Sequence, residues 1–78
     1  MPVRRVELGP IGEVVKANIR DIRIERDLTQ VQLATLSGLP AQAITEIENG
    51  ARRVTADDLV GVAAALKVST TRLLTERS

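Results

Sequence analysis

Apolar positions recur at helical intervals along most of the chain. Val15, Ile19 and Ile22 are spaced by four and three, which puts them on one face of a helix from about Ile11 to Asp27. Glu13, Lys16, Arg20 and Asp21 fall outside that stripe, and Asp27-Leu28 breaks the pattern. A second helix is predicted to begin at Thr29. Its hydroxyl can cap the first turn, and Gln32, three residues on, can reach back as the other half of a capping box. Leu28 and Leu33 occupy the staple positions, Leu33, Ala34 and Leu36 are expected on the inner side, and Ser37-Gly38 ends the helix. A third helix follows from about Pro40 to Asn49, with Pro40 in the first turn and Ala43, Ile44 and Ile47 buried. Thr55 and Asp58 form another capping box, ahead of the stripe Leu59, Val62, Ala63 and Leu66. A fifth helix is expected from Ser69 to about Leu74, with Val68 and Leu73 as a staple pair. No run alternates with period two, so the predicted fold class is all-α with five helices.

This pattern divides the chain into an N-terminal arm over residues 1–10, a helical domain over 11–74 and a polar tail over 75–78, expected to be mobile. Gly9, Pro10 and Gly12 punctuate the end of the arm, where Val3, Val6 and Leu8 alternate weakly with charge. It reads either as a frayed end or as a short strand that pairs with a second chain.

Composition narrows the chemistry. With 78 residues, 44% hydrophobic and 27% charged, the chain supports one globular domain with one modest core. Histidine and cysteine are both absent. The commonest zinc ligands and the usual neutral-pH general base are therefore missing, so neither a metal, a cofactor nor an enzymatic activity is expected. Adjacent Asp57 and Asp58 suit a capped helix start better than paired catalytic carboxylates. There are no aromatic residues, so the core must be aliphatic and bases cannot be gripped by ring stacking. A nucleic-acid partner would then be duplex DNA read through hydrogen bonds. The net charge of +1 argues against indiscriminate polyanion binding, but Arg52-Arg53 and Arg4-Arg5 concentrate positive charge locally. No apolar stretch is long enough to span a membrane and the start lacks a signal-peptide core. A cytoplasmic, nucleoid-associated location is expected.

Two short helices separated by about three residues around a glycine point to a helix-turn-helix. Leu28-Thr29-Gln30-Val31-Gln32-Leu33-Ala34, Ser37-Gly38 and Ile44-Thr45-Glu46-Ile47-Glu48-Asn49-Gly50 resemble the phage-repressor and Cro type of helix-turn-helix domain. Leu66-Lys67-Val68-Ser69 and Leu73-Leu74 resemble that family's ending, so the likeness runs from about Ile11 to Leu74.

The resemblance implies a DNA-binding regulator whose third helix lies in the major groove. With Ile44 and Ile47 facing inward, Ala41, Gln42, Thr45 and Glu46 should face the bases. Gln42 can pair with adenine N6 and N7, while Ala41 and the Thr45 methyl can pack on thymine, and the Thr45 hydroxyl can meet a phosphate or a base. Glu46 either accepts from cytosine N4 or pairs with a nearby arginine and leaves DNA alone. By the same likeness Thr29 and Gln30, at the start of the second helix, and Asn49, Arg52 and Arg53, after the third, meet phosphates. The likeness also implies a mostly buried ion pair between Arg23 and Glu48. One short reading helix covers few base pairs, so a homodimer on a near-palindromic operator is expected. Its contact surface would be the arm or the fifth helix with Val68, Leu73 and Leu74. The alternative is an antitoxin-type adaptor that uses this fold to bind a protein partner.

Overall fold

The computed structural model describes residues 11–76 as five helices: α1 (Ile11–Glu25), α2 (Gln30–Ser37), α3 (Ala41–Glu48), α4 (Ala56–Leu66) and α5 (Thr70–Leu74). The arm, with Val3, Arg4, Arg5, Val6 and Leu8, lies outside the described residues.

Each start has a local cause. Thr29 Oγ1 accepts from the Gln32 N–H at 3.0 Å, and Gln32 Oε1 accepts from the Thr29 N–H at 2.8 Å. Thr55 and Asp58 make the same reciprocal pair at 3.1 Å each. Ser69 caps α5 through the Arg72 N–H. Such a cap is worth about 1 kcal/mol. Pro40 stands just before α3 with φ −59° and ψ 147°, at the cap and not inside the helix. The third helix is thus one residue shorter at each end than its sequence pattern suggested.

Each of the first four helices stops in the same way. Asp27, Gly38, Gly50 and Lys67 take left-handed backbone angles, with φ of 57°, 70°, 75° and 61°. The residue after each donates its N–H back five positions: Leu28 to Arg23, Leu39 to Ala34, Ala51 to Glu46 and Val68 to Ala63. These hooks satisfy the carbonyls that a helix end strands. Gly38 reaches its angle without strain, whereas Lys67 holds a Cβ there against its preference. Asp27 therefore terminates α1 from outside it.

The core gathers one face from every helix: Val15, Ile19 and Ile22 of α1, Leu33 and Ala34 of α2, Ile44 and Ile47 of α3, the α4 stripe, and Leu73 of α5, with Val54 from the loop. Removing a side chain such as Ile44 to Ala from this aliphatic interior costs about 2–5 kcal/mol. α2 packs on both α3 and α4, and α5 closes against α1 and α4. A Cβ at Gly61 would lie 3.1 Å from the Ser37 carbonyl, so α4 passes α2 at a point where only a bare backbone fits easily. That half-buried position joins the fully buried Ala34 as a condition of the α2 packing.

Two expectations are corrected. Leu36 is 59% exposed and not inside. At 3.6 residues per turn it stands about 110° from the midpoint of Leu33 and Ala34, and with Leu28 and Val31 it lines a shallow surface groove. Leu73 is fully buried within its own chain, so it has nothing to offer a second copy; of the fifth-helix set only Leu74 is exposed.

The tail begins anchored. Asn18, buried inside the α1 stripe, donates its amide to the carbonyls of Leu73 at 2.9 Å and Thr75 at 2.8 Å, with Arg72 at 3.4 Å. Arg26 Nε donates to the Leu66 carbonyl at 2.6 Å. The α1 helix and the residue that follows it therefore hold the ends of α5 and α4 through the side chains of Asn18 and Arg26.

Candidate nucleic-acid interface

The turn between α2 and α3 is Gly38-Leu39-Pro40, and it sets α3 across α2 with Ala43, Ile44 and Ile47 buried beneath. The opposite face of α3 carries the exposed Ala41 and Gln42 and the half-buried Thr45 and Glu46. An aliphatic anchor below and small or amide side chains above describe a helix built to present its outer side.

That outer side is tied down from within. Arg23 donates from Nε to Glu48 Oε2 at 2.7 Å and from Nη2 to Oε1 at 3.1 Å. Its Nη1 donates to the Leu28 carbonyl at 2.8 Å, which holds the chain entering α2. Gln30 Nε2 donates to the same Glu48 Oε1 at 3.0 Å, and Gln30 Oε1 accepts from the Thr45 hydroxyl at 2.8 Å. The series runs from α1 through α2 to the outer side of α3. It leaves Thr45 with its hydroxyl proton committed, so toward a ligand Thr45 offers its methyl and an acceptor. Gln30 keeps one N–H of its amide for an anion at the α2 N-terminus, where the helix dipole favours negative charge.

Gln42 Nε2 donates to Glu46 Oε2 at 2.9 Å, one turn along the helix. The hydrogen-bond partner of Glu46 is thus a fellow surface residue of α3, while the Arg52 guanidinium lies near enough to feel the Glu46 charge, in line with the expected nearby arginine.

The loop after α3 holds Asn49 at the helix end, Arg53 exposed and Arg52 half-buried. Arg52 is engaged by Asp58, Nη2 to Oδ1 at 3.0 Å and Nε to Oδ2 at 3.3 Å. Burial pushes the Asp58 carboxyl up, but the Arg52 hydrogen bond, the Thr55 N–H and the nearby guanidinium outweigh it and hold Asp58 below the ordinary carboxylate range. The bond to Asp58 likewise raises the Arg52 guanidinium above its usual value. Arg52 thus fastens the loop to the start of α4, a role the sequence reading did not see.

A family model described as Helix-turn-helix matches residues 19–73, which takes in both helices of the motif, the turn and the helices that support them. The chain belongs to the Cro/C1-type helix-turn-helix family. As a helix-turn-helix protein it is a DNA-binding transcription regulator. It is 36% identical over 77 residues to control protein C.SmaI of Serratia marcescens, covering 99% of this chain and 92% of that relative. Its fold is similar to the crystal structure of the restriction-modification controller protein C.AhdI from Aeromonas hydrophila, with a TM-score of 0.74 and 30% identity over 77% of this chain and 91% of that one. The clp gene regulator ClgR from Corynebacterium glutamicum is also similar, with a TM-score of 0.76 and 28% identity over 82% of this chain and 68% of that one. Among the described residues of this helix-turn-helix protein no helix is long and apolar enough to cross a membrane.

The helix-turn-helix reading also accounts for residues that sequence reasoning passed over. Asn18 and Arg26 act far from α3, by closing α1 on the C-terminal helices. Asn18 was detectable, since it lies between Val15 and Ile22 on the buried stripe of α1, where a polar residue needs partners.

Proposed function

We propose that this regulator binds a near-palindromic duplex operator as a homodimer, each copy laying α3 in the major groove, and that it controls expression of a restriction-modification gene pair. The observation that carries the DNA reading is the outer face of α3, where Ala41 and Gln42 stand exposed over a fully buried Ile44 and Ile47. Gln42 reads adenine, Ala41 and the Thr45 methyl pack on thymine, and Thr29, Gln30, Asn49 and Arg53 meet phosphates. Arg52 joins them where its pairing with Asp58 leaves a guanidinium N–H for a phosphate oxygen. The names of two relatives, a control protein and a restriction-modification controller, support the class of gene under control. Binding alone carries this role, with no chemical step.

Selection of bound sequences from random duplex DNA tests it. An inverted repeat with half-sites about 10 bp apart is expected. A single unrepeated half-site would overturn the homodimer, and no enrichment would overturn the DNA reading in favour of an adaptor role. On the selected site, Gln42→Ala should lower affinity by about 1–3 kcal/mol while binding to random duplex stays nearly constant. Equal losses on both duplexes would remove Gln42 from base reading.

A further inference from the structure

Gln42 and Glu46 form one hydrogen-bonded unit on the outer face of α3, Nε2 to Oε2 at 2.9 Å. An ionised carboxylate can only accept, so the Gln42 amide must turn its nitrogen toward Glu46 and its oxygen away. One of its two N–H donors is then used. Gln42 is left with one donor and one acceptor.

The purines differ in what they ask of that remainder. Adenine shows the major groove an acceptor at N7 and a donor at N6, whereas guanine shows two acceptors, N7 and O6. A donor and an acceptor together match adenine. Guanine would need both N–H groups of Gln42, and its O6 would face an amide oxygen or the Glu46 carboxylate, acceptor against acceptor. A glutamine with no neighbour could swing its whole NH2 group over guanine; one bonded to Glu46 must first break that bond. In water an exposed pair of this kind is weak. Inside a groove that excludes water the bond strengthens, so the restraint acts where the choice is made.

We propose that Glu46 is a positioning residue for base reading: by holding the Gln42 amide in one orientation it makes this helix select adenine and reject guanine at one position of each half-site. The inference rests on the proposed DNA-reading role. It also gives an acidic side chain a purpose on a surface that faces a polyanion, where its charge alone would weaken every contact.

Selections from random duplexes by the wild type, Gln42→Ala, Glu46→Ala and Glu46→Gln decide the matter, scored at the position whose preference disappears in Gln42→Ala. The wild type should favour adenine over guanine there by roughly tenfold or more. Glu46→Ala should bring the two within about threefold, although its affinity for all duplexes rises with the loss of a negative charge. Glu46→Gln keeps an acceptor for Gln42 but adds a donor that also permits the reversed amide, so it should recover only part of the preference, whereas a pure charge effect would recover none. An unchanged adenine-to-guanine ratio in Glu46→Ala would overturn the inference while leaving the regulator reading intact. A wild-type preference for cytosine at that position, lost in Glu46→Ala, would overturn it as well, by making Glu46 a direct reader. Failure of the wild type to enrich any sequence would overturn both.

Discussion

Arg23 and Glu48 meet fork to fork, two nitrogens on two oxygens at 2.7 and 3.1 Å, with side chains only 14% and 4% exposed. The geometry joins α1 to the last turn of α3, and both groups find their remaining partners nearby, in the Leu28 carbonyl and the Gln30 amide. Glu48→Ala should therefore cost about 3–5 kcal/mol in urea unfolding, because it strands a buried guanidinium. Replacing both residues with apolar ones of similar volume should recover most of that loss. A double variant as unstable as the single one would show that the ion pair is not the source of the effect.

Asn18 leads to a different expectation, because its amide faces carbonyl oxygens of α5 and the residue after it. Asn18→Ala removes the donors and leaves those carbonyls unpaired, at a cost of about 1–3 kcal/mol. Asn18→Asp should be worse at neutral pH than Asn18→Ala, since a carboxylate would face acceptors with nothing to donate. Thermal unfolding of the two variants orders them; a milder effect from Asp would mean that the site reorganises around the charge.

Asp58 links stability to pH. It caps α4 with Thr55 and pairs with Arg52, and its folded-state pKa is lowered relative to an ordinary carboxyl. A lowered folded value means that the stabilisation is fully present above the unfolded value, near pH 4, and is lost as pH falls through the folded one. Asp58→Asn should flatten the acid limb of the stability curve and keep part of the capping. Unfolding midpoints measured from pH 7 down to pH 2 check this, and an acid limb as steep as the wild type's would rule Asp58 out as its source.

Arg52 and Arg53 should separate in a salt titration. Arg53→Ala is expected to reduce the slope of log affinity against log salt by about one per copy, the mark of a lost phosphate contact. Arg52→Ala should lower folding stability as well, since it leaves Asp58 buried without its partner. An unchanged slope in Arg53→Ala would remove that residue from the phosphate set.

Much of this architecture was legible before any coordinates. The stripes of α1 and α4 follow the helical period closely, and Thr29 with Gln32 and Thr55 with Asp58 mark helix starts whose reciprocal bonds the structure contains. Leu36 was misread because α2 is only eight residues long and carries apolar side chains on several sides, Val31 and Leu36 outward, Leu33 and Ala34 inward. The glycine at Gly38 announced a left-handed turn and Asp27 is of a type that tolerates one, whereas Lys67 adopts the same angle with nothing in its identity to say so. On the reading face, the four-residue spacing of Gln42 and Glu46 made their contact possible, but only the geometry shows which atoms meet. The Arg52–Asp58 pair depends on how the loop folds back over α4, which no local pattern encodes.

The series from Thr45 through Gln30 and Glu48 to Arg23 makes α3, the helix proposed to enter the groove, stiff from behind. Selectivity in such a protein is a mechanical property as much as a chemical one. Loosening Arg23, which reaches the last turn of α3 from α1, would let a DNA-bound α3 rock in the groove and blur its choice of base at temperatures where the chain is still folded. Discrimination would then fade before cooperativity does, and a variant could pass every test of foldedness while binding the wrong sites.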